Sequence, residues 1–410
     1  MALDDRSPSP TTAHAEVHSE GLRVGGSTID QSFSAKRNSL NFLRLILALA
    51  VVFSHSITLG MFGSESILGK TTLGTVAVFG FFAISGYLIA GSATHNNVGR
   101  YLWQRFLRIF PAFWICLVVT AFLFGALAWF HYHPALSRVC GVRCYLNEPG
   151  GPFAYVRNNF WLQVNQDDIA QTLPGGLLGY GWNASLWTLE LEFLCYVLLA
   201  AFSVVGLLKR PVLVAVIAAV IWIAEVVIDS SRTLSVHFYP VFGSDWITFF
   251  GFKVEVMKVL LLVPIFLSGS LLYLYRERVP DSGALALGAT VLFLAGMVIP
   301  VGQGANDFYQ TSLDLTAIFL AYPLIWLGIH LPFARVCAVN DYSYGIYIYA
   351  FPIQQLLVLW GVNRWGYWTY TLVTLAVVVP FAVASWWLVE KHALRLKKLK
   401  MPMPFRSKSA

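Results

Sequence analysis

Arg44 and His55 stand eleven positions apart in the first long apolar run of the chain. At about 100° per residue an α-helix brings them to within roughly 20° of one another and ~16 Å apart along a single stripe. Ionisable side chains inside an apolar run are costly to keep there, so each is a functional candidate. His55, between Ser54 and Ser56, supplies an imidazole that takes or gives a proton near neutral pH; its alternative is a hydrogen-bonded packing role. Arg44, close to the start of the run, fits either a site or a guanidinium snorkelling to lipid phosphate.

The fourth run opens Asn183-Ala-Ser185-Leu-Trp187-Thr188-Leu-Glu190-Leu-Glu192. Two carboxylates two positions apart point to different helix faces, so at most one faces a shared site. Glu192 falls roughly 12 Å from one membrane surface and His55 ~8 Å from the same surface. That agreement in depth predicts a carboxylate within reach of the imidazole, the base-and-orienter pairing that activates a hydroxyl. Arg105 and Arg108, three residues apart before Pro111, share a helix face. Two such guanidiniums suit a phosphate-bearing ligand, and equally suit headgroup contact at the membrane boundary. Glu225 and Asp314 sit in later apolar runs, where they fit a polar network or a proton path. His131 and His133 have no third ligand in view, so no metal site is expected.

The elements that must hold these residues follow from composition. Of 410 residues 57% are hydrophobic and 12% charged, with mean hydropathy +0.65. That is half the charged share of a soluble domain and excludes a soluble globule. The pattern predicts an all-α fold, a polytopic transmembrane helical bundle of about ten spans: 39–60, 72–93, 108–130, 184–207, 211–229, 257–275, 283–301, 311–329, 342–361 and 367–389. An even number puts both ends on one side. Lys and Arg crowd the even-numbered connections and both flanks, which predicts cytoplasmic termini. The formal net charge of +7 is then a topology signal, and nucleic acid is not expected as a partner. Residues 1–37, polar and without an apolar core, read as a disordered cytoplasmic tail, 38–397 as the membrane-embedded domain, and 398–410 as a basic tail. Cys116, Cys195 and Cys337 read as small packed hydrophobes. Cys140 and Cys144 lie in the long outward connection, where a disulfide is one possibility.

Taken together the motifs resemble the acyltransferase-3 family of bacterial integral-membrane O-acyltransferases. Arg44 to His55 matches its Arg-x10-His signature, Phe81-Phe82-Ala-Ile-Ser85-Gly86 its FF-x-x-SG segment, and Arg105-x-x-Arg108-x-x-Pro111 its RxxR-x-x-P. Trp187-Thr188-Leu-x-x-Glu192-x-x-x-Tyr196 is similar to the fourth-span segment, and Ser343-Tyr344-x-x-Tyr347 to the family's late SY-x-x-Y. Glu390-Lys391 matches its closing Glu-Arg/Lys motif, while Ala350 stands where many members carry a second His. The resemblance implies transfer of an acetyl group from acetyl-CoA, a donor substrate rather than a resident cofactor, to a hydroxyl of a cell-surface polysaccharide, lipopolysaccharide or lipid-linked sugar. It implies catalytic roles for His55, Glu192 and Arg44, donor contacts from Arg105 and Arg108, and a site in the bacterial inner membrane among its lipids. Ser54, Ser56 and Ser85 are candidates for a covalent acyl carrier. The competing reading is a proton-coupled transporter that uses His55, Glu225 and Asp314 as a relay.

Overall fold

The computed structural model describes residues 27–67, 71–173, 180–230, 247–249, 252–298 and 311–398. A helix occupies each of the ten expected spans: α1 (Leu40–Leu59), α2 (Leu73–His95), α3 (Val98–Tyr132), α4 (Ala184–Val204), α5 (Pro211–Ser230), α6 (Val256–Leu274), α7 (Gly283–Val298), α8 (Leu313–His330), α9 (Ser343–Leu359) and α10 (Tyr367–Arg395). Among the described residues eight are long and apolar enough to cross a membrane, against the ten expected. The exceptions are α7 and α9, at 16 and 17 residues. All of α9 is buried, so its surroundings are other helices, and the span length that lipid demands does not bind it. Two small antiparallel strand pairs, Ser66–Ile67 with Thr71–Thr72 and Ile247–Phe249 with Phe252–Val254, close loops at helix ends.

The closest helix pair is α2 against α6. A Cβ on Gly86 would meet the Phe266 carbonyl oxygen at 1.9 Å, and one on Gly269 the Ala83 oxygen at 2.0 Å. Without a hydrophobic drive between helices in lipid, small residues that let backbones touch supply the packing. Ser270 Oγ adds a bond of 3.1 Å to the Gly86 carbonyl. In α9 Pro352 cannot donate to the carbonyl four residues back, and the thiol of Cys116 on α3 reaches that Ile348 oxygen at 3.3 Å. A cysteine that reads as filler thus satisfies a backbone group that has no water to turn to.

Part of the expected tail is ordered. Ile29–Ser32 form a short helix with Ile29 fully buried. The Ile29 and Asp30 N–H groups donate to Val279 and Arg276 carbonyls at 3.0 and 3.1 Å, and the Arg276 side chain pairs with Asp30 at 2.6 Å. Polar composition hid this strap because it docks through backbone bonds, one apolar anchor and one ion pair. Residues 1–26 and 399–410, the rest of the expected tails, lie outside the described residues. In the 131–183 connection Cys140 and Cys144 are joined as a disulfide, their Cα atoms 5.7 Å apart.

Gly86→Val should overpack the α2–α6 seam and cost about 1–3 kcal/mol or more, read as a lower unfolding temperature of the detergent-purified protein. Gly288→Ala, whose Cβ has no described atom within 4 Å, should not lower it; equal behaviour of the two variants would show that the seam does not govern stability.

Candidate functional site

Helices α1, α2, α4, α6 and α9 enclose, at the end of α1 that carries His55, a cavity of about 610 Å³, within the range that holds small-molecule ligands. His55 stands in its wall with its ring edge-on to Phe351 of α9, centroids 5.1 Å apart. Its Nδ1 is buried and has no hydrogen-bond partner among the described residues. Glu65, from the α1–α2 connection, borders the same space. Ser54 Oγ donates to Glu65 at 2.8 Å while accepting from the Gly74 N–H at 2.8 Å, which fixes the carboxylate against the top of α1. On the α6 side Lys258 pairs with Glu255 at 2.7 Å and lies 4.5 Å over the Trp187 ring.

The cavity narrows at Thr188 and Tyr347. Their hydroxyls are hydrogen-bonded, and the Tyr347 hydroxyl also reaches the Ser185 carbonyl at 2.6 Å. With one proton to give, Tyr347 donates to that carbonyl and accepts from Thr188. Beyond this neck is a second space of about 40 Å³, lined by Arg44, Glu192, Ser343 and Tyr344 and sharing Val78, Thr188 and Tyr347 with the first. Glu192 accepts from Ser85 Oγ at 2.9 Å and from the Tyr196 hydroxyl. The expected pairing of Glu192 with His55 is therefore not made. Thr188 and Glu192 lie four residues apart on one face of α4, so the carboxylate sits a helical turn, ~6 Å, past the neck. Equal depth had left the intervening wall unspecified.

The inner space ends on an ion cluster. Asp341, just ahead of α9, accepts from Arg44 Nη1 at 2.8 Å and Arg108 Nη2 at 2.5 Å, and its other oxygen takes the Ser343 N–H and hydroxyl. Arg108 also reaches Glu390 at 3.5 Å. A π-turn, Trp386–Glu390, carries Glu390 inward, where Ser385 Oγ donates to it at 3.1 Å. Such turns insert one residue and re-aim a side chain, and they recur at functional sites. Burial disfavours the Asp341 carboxylate, yet Arg44 and Arg108 beside it more than offset that and hold its carboxyl well below the usual range. Arg105 stands apart: its guanidinium lies 5.9 Å over the Tyr196 ring, and its buried Nε has no partner among the described residues.

The arginine pair expected to act together is thus divided, Arg108 engaged with Asp341 and Glu390 and Arg105 not. Ser85, Tyr196, Ser343, Tyr344 and Tyr347 gather around the inner space and neck, Trp187 faces the outer cavity, and Gly86 makes the α2–α6 seam. Ser54 and Ser85 bond to carboxylates, and Ser56 donates to the Val52 carbonyl while accepting from Gln354. Glu225 and Asp314, buried in α5 and α8, do not line the space that holds His55. Sequence reasoning gave no role to Asp341, Glu390, Glu65 or Lys258. A count of counter-ions for Arg44 and Arg108 points to the first two; Glu65 and Lys258 carry no comparable signal.

The family described as Acyltransferase domain matches residues 37–388. A protein named O-acetyl transferase from Shigella phage Sf6 is 28% identical over 381 residues, 90% of this chain and 99% of the relative. Nodulation protein 10 of Rhizobium leguminosarum bv. viciae is 26% identical over 394 residues, 89% of this chain and 95% of its own. Acyltransferase MdmB of Streptomyces mycarofaciens is 28% identical over 165 residues, 38% of this chain and 37% of its own. No solved structure matches.

Asp341→Asn leaves Arg44 without its carboxylate and Arg108 with Glu390 alone at 3.5 Å, and should cost about 3–5 kcal/mol, measured by thermal unfolding. Because the folded carboxyl lies below its unfolded value, its stabilisation is complete above about pH 4 and fades only at lower pH. The stability gap between wild type and the Asp341→Asn variant should then shrink as the pH falls below about 4; a gap unchanged there would assign the effect to another group.

Proposed function

The chain belongs to the acyltransferase-3 family, and on that premise we propose that this membrane acyltransferase moves an acetyl group from acetyl-CoA to a hydroxyl of a cell-surface glycan or lipid-linked sugar. One observation carries the reading: His55 and Arg44 on one stripe of α1 open on two spaces that share Thr188 and Tyr347. A thioester presented from the Arg44 end then comes within reach of a hydroxyl held at the His55 end. The imidazole takes the hydroxyl proton, the oxygen forms its bond to the acetyl carbon, the carbon–sulfur bond breaks, and the proton passes to the departing thiolate. Arg44 serves this by holding the inner wall with Asp341, and Glu192 by fixing Ser85 and Tyr196 around the path.

Donor phosphates fit the same end. A space of about 330 Å³ lies against Trp386, Lys391, Leu394, Arg395 and Lys397. Burial together with Arg105 and Arg108 nearby lowers the Lys397 pKa, as clustered cations do. Cytoplasmic termini in a bacterial inner membrane, supported by the Lys and Arg asymmetry, put this face toward the acetyl-CoA pool. The glycan meets the opposite face. The phage relative's name supports the acetyl group, and family membership supports acyl transfer over the transport reading.

His55→Ala should lower transfer from labelled acetyl-CoA by about 10²–10⁴ without lowering the amount of inserted protein. More than a tenth of wild-type activity would remove His55 from the role of base. Arg105→Ala should raise the KM for acetyl-CoA and leave that for the acceptor unchanged, with Arg105→Lys losing only part of the affinity. Arg108→Ala should instead reduce the folded protein, because it uncovers Asp341 and Glu390. A wild-type acetyl-CoA KM in the Arg105→Ala variant would move the donor site elsewhere.

A further inference from the structure

The described wall of the outer cavity is acidic. Among the described lining residues are the carboxylates Glu65, Asp167 and Glu255 and a single lysine, Lys258. That lysine is committed to Glu255 at 2.7 Å and to the Trp187 ring face. Glu65 and Asp167 are left as the net charge of the described wall, close to a histidine whose buried Nδ1 has no partner among the described residues. Trp187, Tyr180 and Phe351 supply apolar faces around the same space. Ionised carboxylates only accept hydrogen bonds, so they bind hydroxyls and ammonium groups and repel other anions. A cavity with low-dielectric walls sharpens that preference, because its water screens charge poorly.

We propose that this cavity selects an uncharged or amino sugar as acceptor and rejects sugars that bear a carboxylate, phosphate or sulfate near the reacting hydroxyl, with Glu65 as the main specificity-determining residue. The proposal rests on the acyl-transfer reading and adds the charge class of the acceptor to it. Glu65 is the better placed of the two acids. Ser54, the neighbour of His55 in the chain, donates to it, and Gly74 holds Ser54 in turn, so the carboxylate is fixed relative to the base rather than swinging on a loop. Glu65 is part-buried, whereas Asp167 is exposed. A substrate anion brought against Glu65 would meet like charge across the cavity.

The test compares methyl glucoside, methyl glucosaminide and methyl glucuronide as acceptors for labelled acetyl-CoA with the full-length protein in liposomes. It also compares their binding, by calorimetry, to the His55→Ala protein. Transfer by wild type and binding to the His55→Ala protein should each favour the glucoside and glucosaminide over the glucuronide by about tenfold or more. Glu65→Gln, alone and with Asp167→Asn, should narrow the gap to less than about threefold by improving the glucuronide. Equal handling of the three sugars by wild type, or an unchanged gap in the double variant, overturns the proposal. Discrimination in binding with transfer to none of the sugars would leave the charge selection standing and defeat the acyl-transfer reading, so the two fail separately.

Discussion

The desolvation of two buried guanidiniums is the constraint around which the Arg44 end of the bundle is built. Arg44 comes from α1 and Arg108 from α3, both largely withdrawn from the surface, where a charge needs a partner. Asp341 answers both, and its second oxygen caps the start of α9. Glu390, turned inward by the π-turn of α10, completes two positive and two negative charges. Four helices are locked by one small group of atoms. From that anchor α9 runs through the bundle with every residue buried, carrying Tyr344 beside the inner space, Tyr347 at the neck and Phe351 against His55. Spacing along α9 thereby sets the spacing of the site.

Much of this was legible. Ten helices could be located because the bilayer allows few backbone solutions, and long apolar runs announce the simplest of them. The Arg44 to His55 stripe followed from helical geometry alone. Rotation and partner choice did not follow: Thr188 and Tyr347 stand between Glu192 and His55. Arg105 and Arg108 share a face but not an environment, because Asp341 and Glu390 come from segments more than two hundred residues away. The strap at Ile29 escaped notice since hydropathy does not register backbone bonds to Arg276 and Val279. Cys116 was placed correctly as a packed residue, and its service to the Ile348 carbonyl became visible only with Pro352 beside it.

The two spaces differ in ways that suit two different reactants. The inner one is narrow, walled by Phe81, Phe82 and Tyr344, and ends on charge already neutralised. The outer one is some fifteen times larger by volume and mixes aromatic faces with carboxylates. Between them the Thr188–Tyr347 contact is made of two hydroxyls, with Tyr347 also donating to the Ser185 carbonyl.

The anchor at Asp341 also sets an order of events during synthesis. Arg44 and its counter-ion are 297 residues apart in the chain, and at about 5–20 residues per second the ribosome needs roughly 15–60 s to bridge that distance. Through this interval the first helix sits in the membrane with an unmatched guanidinium near its end, held at the lipid phosphates by the reach of its own side chain. The amino-terminal strap waits in the same way for Arg276. Assembly is therefore closed by late segments returning to early ones, and a nascent chain stopped before α9 holds a charge that its finished fold was meant to cover.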